Sequence, residues 1–88
     1  MQHEGQIPPL SNWNDYKLLL TVAEAGALRG AARKLAISRN TLKAHLDDME
    51  KQLNGSLMTA DFRGVKLTSL GLGVVERARR IRELIDPA

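Results

Sequence analysis

Residues 29–55 read RGAARKLAISRNTLKAHLDDMEKQLNG, and this stretch decides the fold. A short helical pattern over residues 29–35 and a longer one over residues 39–53 are separated only by Ala36-Ile37-Ser38. Ser38 is a good N-cap for the longer helix. One face of that helix is apolar, with residues at helical spacing: Leu42, Leu46, Met49 and Leu53. Two helices joined by so tight a turn predict a helix-turn-helix.

The sequence before this unit predicts another helix over Trp13–Ala25, which Asn12 can cap and Gly26 can end. The short helix contains Gly30, a poor helix former, which favours close approach of a neighbouring helix at that point. We therefore expect three helices to meet around one core, built from Leu19, Leu35, Leu42, Leu46 and Met49.

The pattern changes after residue 55. Residues 57–60 and 65–68 predict two short strands, joined by a hairpin turn over residues 61–64. Thr68 or Ser69 can cap a last helix that runs to about Ile85. Four apolar residues recur along that helix as a short heptad-like seam: Val74, Ala78, Ile81 and Ile85. Because such a seam is too apolar for an exposed helix, we expect it to pair with the same helix of a second copy.

The length of 88 residues allows one small domain, and the composition excludes several functions. Without cysteine there is no disulfide scaffold, zinc–thiolate site or thiol nucleophile. The sequence has only two histidines, His3 and His45, so we do not expect a histidine metal site. No apolar run is long enough to span a membrane, and no signal-peptide pattern opens the chain. We expect a cytoplasmic protein with no cofactor and no enzymatic activity, since no nucleophile–base pair can be assembled.

Positive charge is concentrated in one window of the sequence. The chain carries 13 Lys and Arg against 10 Asp and Glu, a net charge of +3. No acid lies between Glu24 and Asp47, whereas five cations do: Arg29, Arg33, Lys34, Arg39 and Lys43. This distribution is typical of a surface that binds a polyanion, although a solvated basic face gives the same pattern. A capped helix with a basic N-terminus suits a DNA major groove, which admits one α-helix.

Residues 15–80, about three-quarters of the chain, resemble the N-terminal winged helix-turn-helix domain of LysR-type transcriptional regulators. The matching stretches keep one register: VAEAGAL at 22–28, AARKL at 31–35, LNGSL at 53–57 and RGVKLT at 63–68. The resemblance implies a mainly α fold with a three-helix core and a two-stranded wing, followed by a long C-terminal linker or dimerisation helix. It divides the chain into a flexible tail (1–11), the winged helix-turn-helix domain (12–68) and the linker helix (69–88).

The same resemblance implies a homodimer that pairs its C-terminal helices and binds a partly palindromic operator in double-stranded DNA. The family's base and phosphate contacts correspond here to Arg39, Asn40, Thr41, Lys43 and Ala44. Charge and position add four further candidate DNA contacts: Arg33, Lys34 and Ser38 around the turn, and Arg63 in the wing.

Several positions depart from the family's pattern. Arg39-Asn40 stands where Gln-Pro or Gln-Ser is usual, and Lys43-Ala44 stands where Ser-Arg is common. Ahead of the wing, Met58 and Ala60 replace an aromatic residue and an arginine, and Asp61 follows. One phosphate contact of the family is therefore missing, and a cation is gained at Arg39.

Three alternatives remain open at the level of sequence. The chain is a DNA-binding domain, or it is a winged-helix protein-interaction module that binds another regulator. Within the DNA-binding class, a molybdate-sensor-type or other winged-helix regulator fits the same order of elements. The chain is also either an excised domain, which we favour, or a complete protein; a small-molecule effector is expected only if a separate sensor domain exists.

Overall fold

The computed structural model of the protein describes residues 13–85, which form four α-helices and one two-stranded antiparallel sheet. The elements follow in the order α1 (Trp13–Ala25), α2 (Leu28–Leu35), α3 (Arg39–Leu53), β1 (Met58–Asp61), β2 (Gly64–Leu67) and α4 (Ser69–Ile85). This order confirms the predicted winged helix-turn-helix. The predicted tail and the Asn12 cap lie outside the described residues.

The turn between α2 and α3 is closed by backbone hydrogen bonds. Ala36 adopts the left-handed conformation, with φ of 59°, and its N–H donates to the carbonyl of Arg33. The N–H of Ile37 donates to the carbonyl of Ala32 at 3.1 Å. Ser38 then caps α3 by accepting a 3.0 Å hydrogen bond from the N–H of Thr41, as predicted. These contacts fix the direction in which α3 leaves the turn.

Four of the five predicted core residues are buried, whereas the prediction that the fifth is buried is wrong. Leu35 is only half-buried and packs at the margin of the core. Gly30 is a second correction, because a Cβ atom there would meet the Cβ of Ala25 at 3.7 Å, an ordinary contact. Close helix packing therefore does not require glycine at this position. The largest fully buried side chains are Leu19, Val22, Leu42, Met49, Leu57, Val74 and Val75.

The two strands of the wing (residues 58–67) pair from Met58 opposite Leu67 to Asp61 opposite Gly64. The strand β1 lies one residue later than predicted and β2 one residue earlier, and Leu57 precedes the ladder instead of belonging to it. Its N–H donates to the Glu50 carboxylate at 2.8 Å, and its carbonyl accepts from the N–H of Thr68. Leu57 is thus a buried anchor before the ladder begins.

The first half of α4 belongs to the core of the domain. The Thr68 hydroxyl accepts from the N–H of Gly71 at the start of the helix. Val74 and Ala78, predicted to face a second copy, are 1% and 0% exposed within the single chain. The prediction that these two residues of the seam face a second copy is corrected, because helices of the same protomer already cover them. The core therefore extends past residue 68, the predicted end of the domain.

The second half of α4 projects its apolar residues from the core. Ile81 is half-buried against it, whereas Leu84 and Ile85 are 83% and 60% exposed. Arg82 forms a 3.2 Å ion pair with Glu24, which joins this half of the helix to α1. Among residues 13–85, no helix has the length and apolar content needed to cross a membrane.

Candidate nucleic-acid interface

A cleft of about 830 Å³ lies between α3 and the wing, with the start of α2 at one end. We call it the α3–wing cleft. Its charged lining residues are Arg29, Arg39, Lys43, Asp47, Glu50, Asp61 and Arg63. Two of the three acids are already engaged, because Glu50 accepts from the N–H of Leu57 and Asp61 is paired with Arg63. Within residues 13–85, Arg29, Arg39 and Lys43 form no salt bridge, so their charges are available to a ligand.

The exposed face of α3 carries most of the predicted contacts. At about 100° per residue, Arg39 and Lys43 lie on the side of the helix next to the cleft. Asn40 and Ala44 lie on the side opposite the buried Leu42 and so point furthest outward. All four are exposed. The helix therefore presents a polar amide and a small apolar residue on its crest, with two cations along the side next to the cleft.

The hydroxyl groups at the start of α3 are partly committed to each other. Ser38 accepts from the N–H of Thr41 and donates its own proton to the Thr41 hydroxyl at 2.9 Å. The Thr41 hydroxyl proton is not used in that pair, and Thr41 is exposed. Of these two residues, Thr41 is better placed to donate to a phosphate or a base.

Arg33 and Lys34 are exposed in the last turn of α2, but they do not line the α3–wing cleft. Arg29, which was not among the predicted contacts, does line it from the first turn of α2. Its signal was present in the sequence as the first cation of the acid-free window. The structure thus separates the window into cations on the cleft and cations outside it.

Arg63 lies in the two-residue loop at the tip of the wing, with 77% of its side chain exposed. Asp61 Oδ1 accepts from the N–H of Arg63 at 2.8 Å, and Asp61 Oδ2 accepts from Arg63 Nη2 at 3.1 Å. The predicted wing cation is therefore exposed but paired with a carboxylate, in contrast to Arg39 and Lys43.

The model of the family described as bacterial regulatory helix-turn-helix proteins of the lysR family matches residues 13–72. An HTH-type transcriptional regulator of Mycobacterium tuberculosis is 38% identical over 71 residues, which cover 81% of this chain and 23% of that protein. The small neutral protease regulatory protein of Streptomyces coelicolor is 40% identical over 63 residues, which cover 72% of this chain and 19% of that protein. The chain therefore belongs to the lysR family and carries its helix-turn-helix DNA-binding domain.

Solved structures give the same result. The DNA-binding domain of CbnR, solved in complex with DNA, superposes with a TM-score of 0.77 at 33% identity, covering 86% of this chain and 87% of that one. Full-length LysG of Corynebacterium glutamicum superposes with a TM-score of 0.82 at 23% identity, and the match covers 89% of this chain and 27% of LysG. That second likeness shows the fold alone. The matched family and the two relatives are regulatory proteins by name, and nothing in them favours the protein-interaction alternative.

Proposed function

We propose that this domain binds a specific site in double-stranded DNA by placing α3 in the major groove, with the wing alongside it. The observation that carries the proposal is the exposed face of α3, on which Arg39 and Lys43 have no carboxylate partner among residues 13–85. The α3–wing cleft lies beside that face, where a DNA backbone strand enters if α3 occupies the groove. The likeness to a domain solved on DNA supports the same mode of binding.

The residues of α3 divide into two roles under this proposal. Asn40 on the crest reads a base edge, for which an amide paired with adenine N6 and N7 is the favoured geometry. Arg39, one residue earlier in the first turn, reads a guanine. Lys43, on the side of the cleft, binds phosphate, and Ala44 makes an apolar contact at most.

The flanking residues position the helix on the duplex. Arg29 binds the backbone strand that enters the cleft, and Thr41 donates to phosphate on the other side of α3. Ser38 caps α3, and its two hydrogen bonds with Thr41 hold that residue in position. Arg33 and Lys34, outside the cleft, approach the backbone at longer range, and Arg63 approaches it from the wing.

We further propose that two copies pair through the exposed C-terminal half of α4, so that the bound DNA is partly palindromic. Leu84 and Ile85 are the exposed apolar residues there, and Ile81 borders them. A symmetric pair of domains requires two half-sites related by the same symmetry. Of the predicted seam, the proposed interface keeps only Ile81 and Ile85, since Val74 and Ala78 are covered within each copy.

The chain spans 23% or less of the length of the curated relatives described above. We propose that the whole protein is a cytoplasmic transcription regulator and that any effector is bound outside the described residues. Among residues 13–85, no group of three or more histidine or acidic side chains is placed to hold a metal ion. The domain itself is proposed to act by binding, without catalysis or a cofactor.

The test is a titration of duplex binding at several salt concentrations, using a duplex selected by this chain from a random pool. Binding through phosphate contacts makes log Kd rise linearly with log salt, by about 0.9 per contact. Lys43→Ala is expected to lower that slope by about one. The matched control is Lys17→Ala, an exposed cation on α1 that does not line the cleft. Equal slopes for the wild type and Lys43→Ala, or salt-independent binding, contradict the proposal.

A further inference from the structure

The tip of the wing carries a feature that DNA contacts by Arg63 do not account for. Phe62 is 95% exposed, more than any other large hydrophobic residue among residues 13–85. It occupies the two-residue loop between Asp61 and Gly64, where neither Phe62 nor Arg63 has a positive φ, so the backbone there accepts almost any residue and does not call for phenylalanine. Neither turn geometry nor packing against the domain therefore explains an aromatic residue there.

The neighbours of Phe62 form a unit around it. The Arg63 guanidinium carbon lies 5.5 Å from the centroid of the Phe62 ring, within the range of a cation–π contact. The same guanidinium is held by Asp61 at 3.1 Å, and the Asp61 carboxylate also binds the Arg63 N–H. The formal charges of Asp61 and Arg63 cancel, so the tip of the wing presents an exposed aromatic ring beside an ion pair with no net charge.

Phe62 borders the α3–wing cleft together with Arg39 and Lys43. Because these residues share one concave surface, a duplex read by α3 brings its neighbouring minor groove towards the tip of the wing. Apolar side chains such as phenylalanine are used in minor grooves as wedges at flexible base steps, mainly pyrimidine–purine steps.

We infer that the wing tip is a specificity element in which Phe62 makes an apolar contact at a deformable step of the minor groove flanking the α3 site, while Asp61 restrains Arg63 from free phosphate binding. The inference rests on the proposed function, because the wing reaches the minor groove only when α3 lies in the adjacent major groove. Two effects follow: Phe62 adds sequence preference in the flank, and Asp61 lowers attraction to DNA of any sequence.

The contribution of Asp61 follows from its charge. A carboxylate at the tip repels phosphates and also competes with them for Arg63. Asp61→Asn keeps an oxygen that can accept from the Arg63 N–H but removes the charge. We expect this variant to bind selected and scrambled duplexes more tightly, to raise the salt slope by about one, and to lower the preference for the selected duplex.

The contribution of Phe62 is tested with the 88-residue chain and a duplex that it selects from a random pool. Phe62→Ala is expected to weaken binding to this duplex by about tenfold, the scale of one lost apolar or stacking contact with a base. Its salt slope is expected to stay at the wild-type value, because no charge is removed. Phe62→Leu, which keeps an apolar wedge, restores most of the loss.

A second readout detects the wedge directly. The adenine analogue 2-aminopurine, placed at the flanking step of the selected duplex, becomes more fluorescent when it is unstacked. The wild type and Phe62→Leu are expected to raise its fluorescence, and Phe62→Ala is not. Replacing the flanking step by a stiff A-tract is expected to weaken wild-type binding and to leave the affinity of Phe62→Ala unchanged.

The outcomes separate the inference from the proposed function. A wild-type chain that binds no duplex, or binds without salt dependence, overturns the proposed function and this inference with it. If the wild type binds with a steep salt slope while Phe62→Ala changes neither affinity nor flanking preference, the inference alone is overturned. The exposed ring is then assigned to contact with another protein.

Discussion

The carbonyl oxygen of Gly26, between α1 and α2, accepts a 2.9 Å hydrogen bond from the backbone N–H of Val65 in the second strand of the wing. This bond attaches the wing to the helical part of the domain near the start of α2. Gly64, the residue before Val65, lies close to the same carbonyl: a Cβ atom on Gly64 would come within 2.7 Å of it. Gly64 also has a φ of +124°, which other residues rarely adopt.

Gly64→Ala is therefore expected to destabilise the domain by about 1–3 kcal/mol and to displace the wing. Chemical denaturation measures the first effect. The second effect is a loss of DNA affinity that persists under conditions where the variant is fully folded, because the α3–wing cleft changes shape.

Gly30→Ala is the matched control, since the added Cβ atom makes only an ordinary contact and the substitution removes a glycine from the interior of a helix. Gly30→Ala is expected to stabilise the domain by about 0.5–1 kcal/mol and to leave DNA affinity unchanged. An unchanged denaturation midpoint for Gly64→Ala contradicts the assignment of its backbone as strained.

Leu46→Ala tests the packing of α3. Leu46 is 6% exposed and lies with Leu42 and Met49 on the buried face of the helix. Removing its side chain is expected to cost about 2–5 kcal/mol of unfolding free energy, from lost apolar burial and the cavity left behind. Phe62→Ala removes a larger but exposed side chain and is expected to change the unfolding free energy by less than about 0.5 kcal/mol. Equal effects of the two variants contradict the placement of the core.

The proposed dimer is tested at the exposed end of α4. Leu84→Asp and Ile85→Asp are each expected to convert the dimer to a monomer in sedimentation experiments, because a carboxylate cannot be buried unpaired in an apolar interface. Ile81→Asp is a poorer test, since Ile81 also packs against the core of its own protomer. Arg79→Asp, on an exposed position of the same helix, is the control that is expected to remain dimeric. If Leu84→Asp and Ile85→Asp both remain dimeric, the interface lies elsewhere.

Much of the fold follows from local patterns. The bounds of α1 and α3 agree with the prediction because caps and helical periodicity act within a few residues, as Ser38 does for Thr41. The contacts that the sequence did not predict join different elements of the fold. Glu50 binds the N–H of Leu57, and the Gly26 carbonyl binds Val65, and neither pairing has a periodic signal.

The same distinction explains the corrections at the dimer seam and the site. Val74 and Ala78 match an intermolecular seam and an intramolecular core equally well, because both bury one apolar stripe of a helix. Arg29 lines the same cleft as Arg39 only because the turn folds the start of α2 towards α3 and the wing. Charge composition predicted a basic surface, whereas the pairing of Arg63 with Asp61 required the hairpin geometry.

The reading of bases is assigned to the start of α3, and this assignment gives the last prediction. Arg39 and Asn40 are exposed in its first turn, which is the part of a recognition helix that contacts base edges. Arg39→Ala and Asn40→Ala are each expected to weaken binding to the selected duplex by about 1–3 kcal/mol and to relax its preference at one base pair. Lys43→Ala, the phosphate-contact control, is expected to weaken selected and scrambled duplexes alike. Binding isotherms on both duplexes measure the ratio of affinities. If Arg39→Ala and Asn40→Ala leave that ratio at the wild-type value, bases are not read by the first turn of α3.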